Sequence, residues 1–231
     1  NLCNAKLQED SMSVRNLIKQ RNVKFIGTTD DPIDTLEFHK KIAEDQTFDV
    51  KVLPAWRPDK AMNLEKPEYL DYLAKLSAVS GVEVNSFATL MEALKVRLDY
   101  FEVAGCSVSD HALEYVMYAP ASDEEIEAIF AKRLAGGTVT KEEELKFKTA
   151  YMLVLGKEYN RRDWVMQLHY NCLRNPNSAM FEKLGPDTGF DVIGPHDSTA
   201  DLAKLLDTRL EYLAEQQKLL ASIAIVKREL E

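Results

Sequence analysis

Asp30, Asp31, Arg57, Asp59, Lys60, Asp110, His111, His169 and Arg174 are the side chains with which this sequence could do chemistry, because each falls at or just after a short run of β-forming residues. A carboxylate beside an imidazole moves protons near neutral pH, and a guanidinium holds a carboxylate through two parallel hydrogen bonds. Together these groups make a kit for proton transfer on an acidic metabolite. Taken singly they have blander readings. Asp30-Asp31-Pro32 also reads as a turn and helix cap, Asp59-Lys60 as a surface pair, and Asp110-His111 as an N-cap with a solvated histidine. His169 closes an apolar run from Trp164 and leans towards function. His39, inside an expected helix, and His196, in a Gly-Pro loop, read as structural. The joint placement of the other groups after strands favours the chemical reading.

The elements that must position them alternate. Leu2 to about Arg21 has mostly helical spacing and reads as one helix leading into a strand at Val23–Thr28. A helix is expected over 34–43 and a second strand over Phe48–Ala55. Helices follow at Tyr69–Ser77 and Phe87–Ala104, the latter closed by Gly105. Cys106–Ser109 is a very short third strand running into Asp110-His111, and Trp164–His169 is a fourth. Between these two lies a helical insertion at about 120–160. Ser122 with Glu125 and Thr140 with Glu143 are capping boxes there, and Gly136-Gly137 breaks the helices apart. Tyr69, Tyr72, Tyr100 and Phe101 read as core or boundary, and Glu142-Glu143-Glu144 as a solvated helix face. From Thr199 to Glu231 a leucine-rich periodicity marks one long amphipathic helix, which reads equally as part of the fold or as a partner-binding element. Strands alternating with helices predict a parallel α/β sheet, with the residues after each strand gathered on one face.

Composition removes several classes of function. A formal charge of -9 argues against a nucleic-acid or anionic-membrane surface, and no run approaches the roughly 20 apolar residues of a membrane span. Three widely spaced cysteines, Cys3, Cys106 and Cys172, fit neither a disulfide framework nor a CxxC motif, so a reducing cytoplasm is the simplest expectation. The Gly-rich segment 184–191 could wrap a ligand but lacks the lysine of a phosphate loop, and no GxGxxG occurs, so no nucleotide cofactor is indicated. No HxH, HExxH or close Cys/His cluster occurs either, so no metal site can be read from this chain. Asn1 in place of an initiating Met leads to the expectation of a fragment or processed chain.

Four segments, Gly-Thr-Thr-Asp-Asp-Pro-Ile-Asp (27–34), Val-Leu-Pro-Ala-Trp-Arg-Pro-Asp-Lys (52–60), Val-Ser-Asp-His-Ala-Leu (108–113) and Leu-Gly-Pro-Asp-Thr-Gly-Phe-Asp (184–191), resemble uronate isomerase in order and spacing, over about residues 1–207. The resemblance implies the amidohydrolase superfamily and a (β/α)8 TIM barrel. This chain would cover about four consecutive β/α units, the third to sixth strands, as a partial barrel over 1–207, followed by an amphipathic helix over 199–231. It implies interconversion of glucuronate with fructuronate, and of galacturonate with tagaturonate, by proton transfer through an enediol. By motif match Arg57 would bind the hexuronate carboxylate or a neighbouring oxygen. Asp110 and His169 would sit in the sugar pocket and assist ring opening or proton traffic, and Arg174 and Asp187 would contribute to substrate binding. A divalent metal, zinc, is expected in the full-length family, but its His-x-His pair and its Thr-Asp-Ser-Arg segment are absent from this sequence. The open sheet edges of a partial barrel invite a homo-oligomer. Two readings follow: a segment of an isomerase, or a catalytically incomplete or redesigned fragment serving as a structural, oligomerising domain.

Overall fold

Where serines and aspartates crowd an expected helix, the chain breaks it. The computed structural model describes residues 2–208. Within it the single helix expected over Leu2–Arg21 is α1 (Leu2–Leu7), a 3-10 turn at Asp10–Met12 and α2 (Val14–Gln20). Asp10 is the competitor: its carbonyl accepts the Ser13 amide and the Asn16 side chain, and Asn16 also reaches its carboxylate.

The strands are shorter than their apolar runs but lie in the expected order. β1 (Phe25–Gly27) pairs in parallel with β2 (Lys51–Leu53), after α3 (Glu37–Glu44). Single parallel bridges carry the arc onward, from Asp30 to Trp56 and from Trp56 to Ser109. Trp56 is the hinge of this arrangement, its amide donating to the Val108 carbonyl at 3.0 Å and its carbonyl accepting the Asp110 amide at 2.8 Å. β3 (Val108–Ala112) then pairs in parallel with β4 (Val165–His169), in a register that sets Asp110 opposite Gln167 and Ala112 opposite His169. The result is an α/β arrangement whose parallel strands run in sequence order and do not close into a ring among the described residues. Phe25 on β1 and Val165 on β4 are exposed at its two edges.

The third strand differs from expectation in a way that matters. Asp110 and His111 are part of β3, not a loop after it. Because side chains alternate along a strand, the two point to opposite sides. Asp110 faces the strand ends, whereas His111 enters the core and is fully buried, which overturns the reading of a capped helix start with a solvated histidine.

After β2 come α4 (Asp59–Met62), α5 (Tyr69–Ser80) and α6 (Phe87–Val103). α6 opens on a capping box between Ser86 and Thr89. The insertion forms α7 (Asp123–Leu134) and α8 (Lys141–Arg161). Thr140 and Glu143 make the full expected box, while Ser122 makes the half in which it accepts the Glu125 amide. Far from being peripheral, the insertion seals the core: Phe130, Phe147, Tyr151, Leu155 and Tyr159 belong to the same buried cluster as Trp56, Leu94 and Phe101. Each such side chain contributes about 1.5–3 kcal/mol by leaving water. Trp56 meets Phe101 edge-on with ring centres 4.9 Å apart. Glu144, expected in a solvated face, is buried and receives the ammonium groups of Lys148 at 2.7 Å and Lys141 at 2.9 Å.

Beyond β4 the chain makes an antiparallel excursion, β5 (Cys172–Leu173) with β6 (Val192–Ile193), enclosing α9 (Ser178–Leu184). Residues 199–208 are helical, and the rest of the helix expected to Glu231 lies outside the described residues. Among the described residues no helix is long and apolar enough to cross a membrane.

Candidate active site

The ends of β2, β3 and β4 converge on one carboxylate. Asp110, on β3, is nearly buried. Its Oδ2 receives the Arg57 guanidinium from the loop after β2, and its Oδ1 lies 2.8 Å from Nδ1 of His169 at the end of β4. Gln167, two residues earlier on β4, reaches the same oxygen at 3.4 Å. A carboxylate that accepts the imidazole Nδ1–H fixes the tautomer and leaves Nε2 as the nitrogen able to exchange a proton. His169 is partly exposed and lines an open cavity of about 510 Å³ that also touches Cys172, Leu173, Arg174 and Ala112. Arg57 is one-third exposed, and a guanidinium has more N–H groups than its contact with Asp110 uses, although its Nε is itself buried and without a partner.

A second layer lies behind this one. Asp59, whose blander reading is a surface pair with Lys60, is held inside by the Ala112 amide, which donates to Oδ2 at 3.0 Å, while Lys60 turns instead to Asp31 at 3.2 Å. Burial raises the Asp59 carboxyl to about 6, reinforced by the negative charges of Asp110 and Asp31 and opposed by the Ala112 amide and Arg57. Its Oδ1 stands 3.7 Å from His111 Nδ1. Burial of the imidazole depresses His111 to about 3, keeping it neutral at ordinary pH, although Asp110 opposes the shift. His111 Nε2 meets the Tyr159 hydroxyl at 3.1 Å, and that hydroxyl accepts from the Trp56 indole at 3.0 Å.

The end of β1 supplies a third group. Asp30 is almost buried, accepts the Thr28 hydroxyl at 2.6 Å and lies 3.8 Å from His39, whose Nε2 is 2.7 Å from the same hydroxyl. His39 therefore anchors the strand end from α3. Asp31 takes the Tyr72 hydroxyl at 2.9 Å and the Ile33 amide at 3.1 Å, so its turn reading and its place in the site coexist. Asp30, Asp31, Asp34, Arg57, Asp59 and Lys60 line a second open cavity of about 330 Å³.

Arg174 and Asp187 stand apart from this convergence. Arg174 is paired chiefly with Asp191 at 2.5 Å and more loosely with Asp187 at 3.4 Å, so both belong to the β5–β6 excursion. Arg174 still shares a cavity wall with His169, whereas Asp187 is largely exposed. His196 packs against Tyr115 with ring centres 4.2 Å apart. The zinc implied by the resemblance finds no ready seat in this segment. Among the described residues no three His, Cys, Asp or Glu side chains stand close enough to share an ion, and the Asp110 carboxylate is already taken by a guanidinium and an imidazole.

Tyr159 and Gln167 touch the chemical groups but were not singled out by sequence reasoning, and Tyr72, which was read as core or boundary, also holds Asp31. Tyr159 lies on the α8 stripe with Tyr151 and Leu155, where a phenol among apolar residues at four-residue spacing looks like core. The one signal was chemical: a buried phenol needs a partner.

The chain is similar to known proteins over most of its length. The family model described as glucuronate isomerase matches residues 1–224, past the point where the sequence motifs stop. A uronate isomerase of Lachnospira eligens is 66% identical over 207 residues, covering 90% of this chain, and one of Lachnoclostridium phytofermentans is 68% identical over 206 residues, covering 89%. The chain spans 44% of the length of each of these relatives. The crystal structure of uronate isomerase from Thermotoga maritima superimposes with a TM-score of 0.78 at 32% identity, covering 84% of this chain and 43% of that one. Glucuronate isomerase from Caulobacter crescentus gives 0.79 at 29% identity, covering 89% and 42%.

Proposed function

The chain belongs to the glucuronate isomerase family, and from that premise we propose that it supplies one wall of the active site of an aldose–ketose isomerase acting on hexuronates. The relatives are more than twice as long, since this chain spans 44% of them, so the activity is proposed for the whole protein. The four parallel strands, in sequence order with helices between them, form an arc of a (β/α)8 barrel of the amidohydrolase type, and the site lies at their C-terminal ends.

The observation that carries the reading is the seating of Asp110 between Arg57 and His169 at three adjacent strand ends. The isomerisation removes a proton from C2 of the open-chain aldose and delivers one to C1. O2 loses its proton and O1 gains one, so the aldehyde becomes an alcohol and the C2 alcohol a ketone, through an enediol. Asp110 holds His169 with Nε2 towards the cavity, and that imidazole carries protons to and from the sugar oxygens during ring opening and enediol formation. Arg57 neutralises Asp110 and offers its remaining donors to the substrate carboxylate or a neighbouring oxygen. Arg174 supplies a second cation on the His169 side of the pocket.

The test is isomerisation of glucuronate and galacturonate by the full-length protein, with added zinc, comparing wild type with His169→Asn and Asp110→Asn. Loss of turnover in both variants with folding intact supports the assignment, and unchanged turnover in His169→Asn sinks it.

A further inference from the structure

Behind the Arg57–Asp110–His169 group runs a buried chain of polar groups that the reaction as described does not use: Trp56, Tyr159, His111 and Asp59. The direction of its bonds follows from what each group can do. The Trp56 indole N–H can only donate, so the Tyr159 oxygen is its acceptor. The Tyr159 hydroxyl can then give its own proton to His111 Nε2, 3.1 Å away, and in that arrangement the single proton of the neutral imidazole sits on Nδ1. Nδ1 is fully buried and without a hydrogen-bond partner, and so is the oxygen it faces, Asp59 Oδ1, at 3.7 Å. That gap is too long for a hydrogen bond, but neither atom has another partner and a small rotation of the Asp59 carboxylate closes it. The other Asp59 oxygen holds the Ala112 amide, two residues beyond Asp110 on the same strand.

We propose that Asp59 is a positioning residue: its carboxylate locks His111 in the Nδ1–H tautomer and pins the end of β3, and so holds Asp110 in register with Arg57 and His169. This inference rests on the isomerase reading only for its effect on turnover, since the tautomer is a property of the folded chain. Arg57, in the loop after β2, and Asp59, the first residue of α4, act on β3 two residues apart, at Asp110 and at Ala112, so the segment after β2 grips the strand at two points. The charged and titratable groups facing Asp59 are Arg57 and Lys60 on its own segment, Asp31 from the end of β1, Asp110 and His111 on β3, and the phenols of Tyr151 and Tyr159 on α8. His169 acts on His111 from β4. Asp59 titrates near 6, so the lock loosens on the acidic side of neutrality.

An amide at position 59 makes the idea testable. Its oxygen must take the Ala112 amide, which leaves its NH2 facing His111 Nδ1. That nitrogen must then be bare, with the imidazole proton moved to Nε2. The experiment is nitrogen-15 NMR of the histidine side chains in the whole chain from pH 5 to 8, with His111→Gln for assignment, on wild type and Asp59→Asn. The expected result is a neutral Nδ1–H imidazole for His111 in the wild type, whose shifts inflect near the Asp59 midpoint, and an Nε2–H imidazole with no inflection in Asp59→Asn. An Nε2–H imidazole in the wild type, or an unchanged tautomer and titration in the variant, overturns the proposal. Should the variant not fold, the wild-type tautomer and inflection decide alone. In the full-length enzyme Asp59→Asn should remove the acidic limb of the kcat profile while leaving KM within about threefold. If His169→Asn abolishes turnover while Asp59→Asn leaves the profile unchanged, the isomerase reading stands and this one falls.

Discussion

Asp110 Oδ1 lies 2.8 Å from Nδ1 of His169, on the neighbouring parallel strand, while its Oδ2 is occupied by Arg57. One carboxylate therefore both orients the imidazole and is itself held by a cation. Removing that cation leaves a nearly buried negative charge paired with a partly exposed histidine alone. Arg57→Ala should lower kcat/KM for glucuronate at least about 30-fold, in line with the 2–5 kcal/mol typical of breaking a hydrogen-bonded charge pair. Arg57→Lys should recover only a small part, because one ammonium cannot hold Asp110 and still present a planar fork to a substrate carboxylate. Steady-state kinetics alongside a thermal melt check this, and a loss under threefold would show that the pair is dispensable.

Asp59 and His111 make opposite contributions to acid stability. The folded-state value of Asp59, about 6, lies above its ordinary 3.8, so between these values the native state binds a proton that the unfolded chain releases. Stability therefore falls as pH rises through this window, by on the order of 3 kcal/mol for a shift of about two units. His111, lowered to about 3 from 6.5, acts the other way: its contribution is complete above 6.5 and is lost as pH falls towards 3. In the wild type the two slopes oppose each other between about pH 4 and 6. Asp59→Asn removes one of them, so its stability relative to wild type should increase from pH 4 to pH 6 and then level off. Urea unfolding at pH 4, 5, 6 and 7 measures this, and a difference independent of pH would contradict the buried, proton-binding Asp59.

The order of strands and the gathering of charged groups at their ends were legible because short apolar runs bounded by turn residues repeat along the chain. What pattern reading missed was the inside of the polar network. Asp110-His111 reads as a loop because two polar residues end an apolar run, yet both continue β3, and alternation sends one to the site and the other into the core. Glu144 lies in a run of three glutamates that looks uniformly solvated, but only Glu142 of the three is exposed, Glu143 is half-buried and Glu144 is buried, its position on α8 turning it towards Lys148. The long N-terminal helix fails because apolar spacing cannot weigh the competing bonds to Asp10. The continuation of β3 depends on pairing with β4, far away in sequence, while the other two turn on side-chain bonds that apolar spacing does not weigh.

Arg97 is another case hidden from sequence. It is a charged residue inside an amphipathic helix, yet it is buried, donates from Nε to the Pro32 carbonyl at 2.6 Å and from Nη2 to the Asp34 carbonyl at 2.8 Å, and stacks over Tyr100. Arg133 does the same from α7 for the carbonyls of Leu64 and Lys66. Each fastens a loop whose own backbone has no ladder to join. Arg97→Met keeps much of the packing but leaves two carbonyls without their donors, so it should cost about 2–3 kcal/mol. It should also loosen Asp31, which sits in the loop being held. Chemical denaturation gives the first effect and hydrogen exchange at the Ile33 and Asp34 amides the second. A stability loss under about 0.5 kcal/mol would mean that these carbonyls do not need the arginine.

Gly105 ends α6 at φ +88, a left-handed conformation that side chains disfavour, and a Cβ there would stand 3.1 Å from Leu53 Cδ2 on β2. Two separate penalties follow from one substitution. The backbone term is about 1 kcal/mol for an ordinary residue forced left-handed, and the contact adds a further 1–2 kcal/mol if Leu53 cannot move. Gly105→Ala should therefore destabilise the chain by about 2–3 kcal/mol, whereas Gly136→Ala, at φ +83 with open space around it, should show only the backbone term. The pair separates strain from packing, and a double variant takes the separation further. In a Leu53→Ala background the contact is gone, so adding Gly105→Ala should cost no more than Gly136→Ala does in the wild type. If Gly105→Ala costs the same with and without the Leu53 side chain, close packing of α6 on β2 is not what demands glycine at that turn.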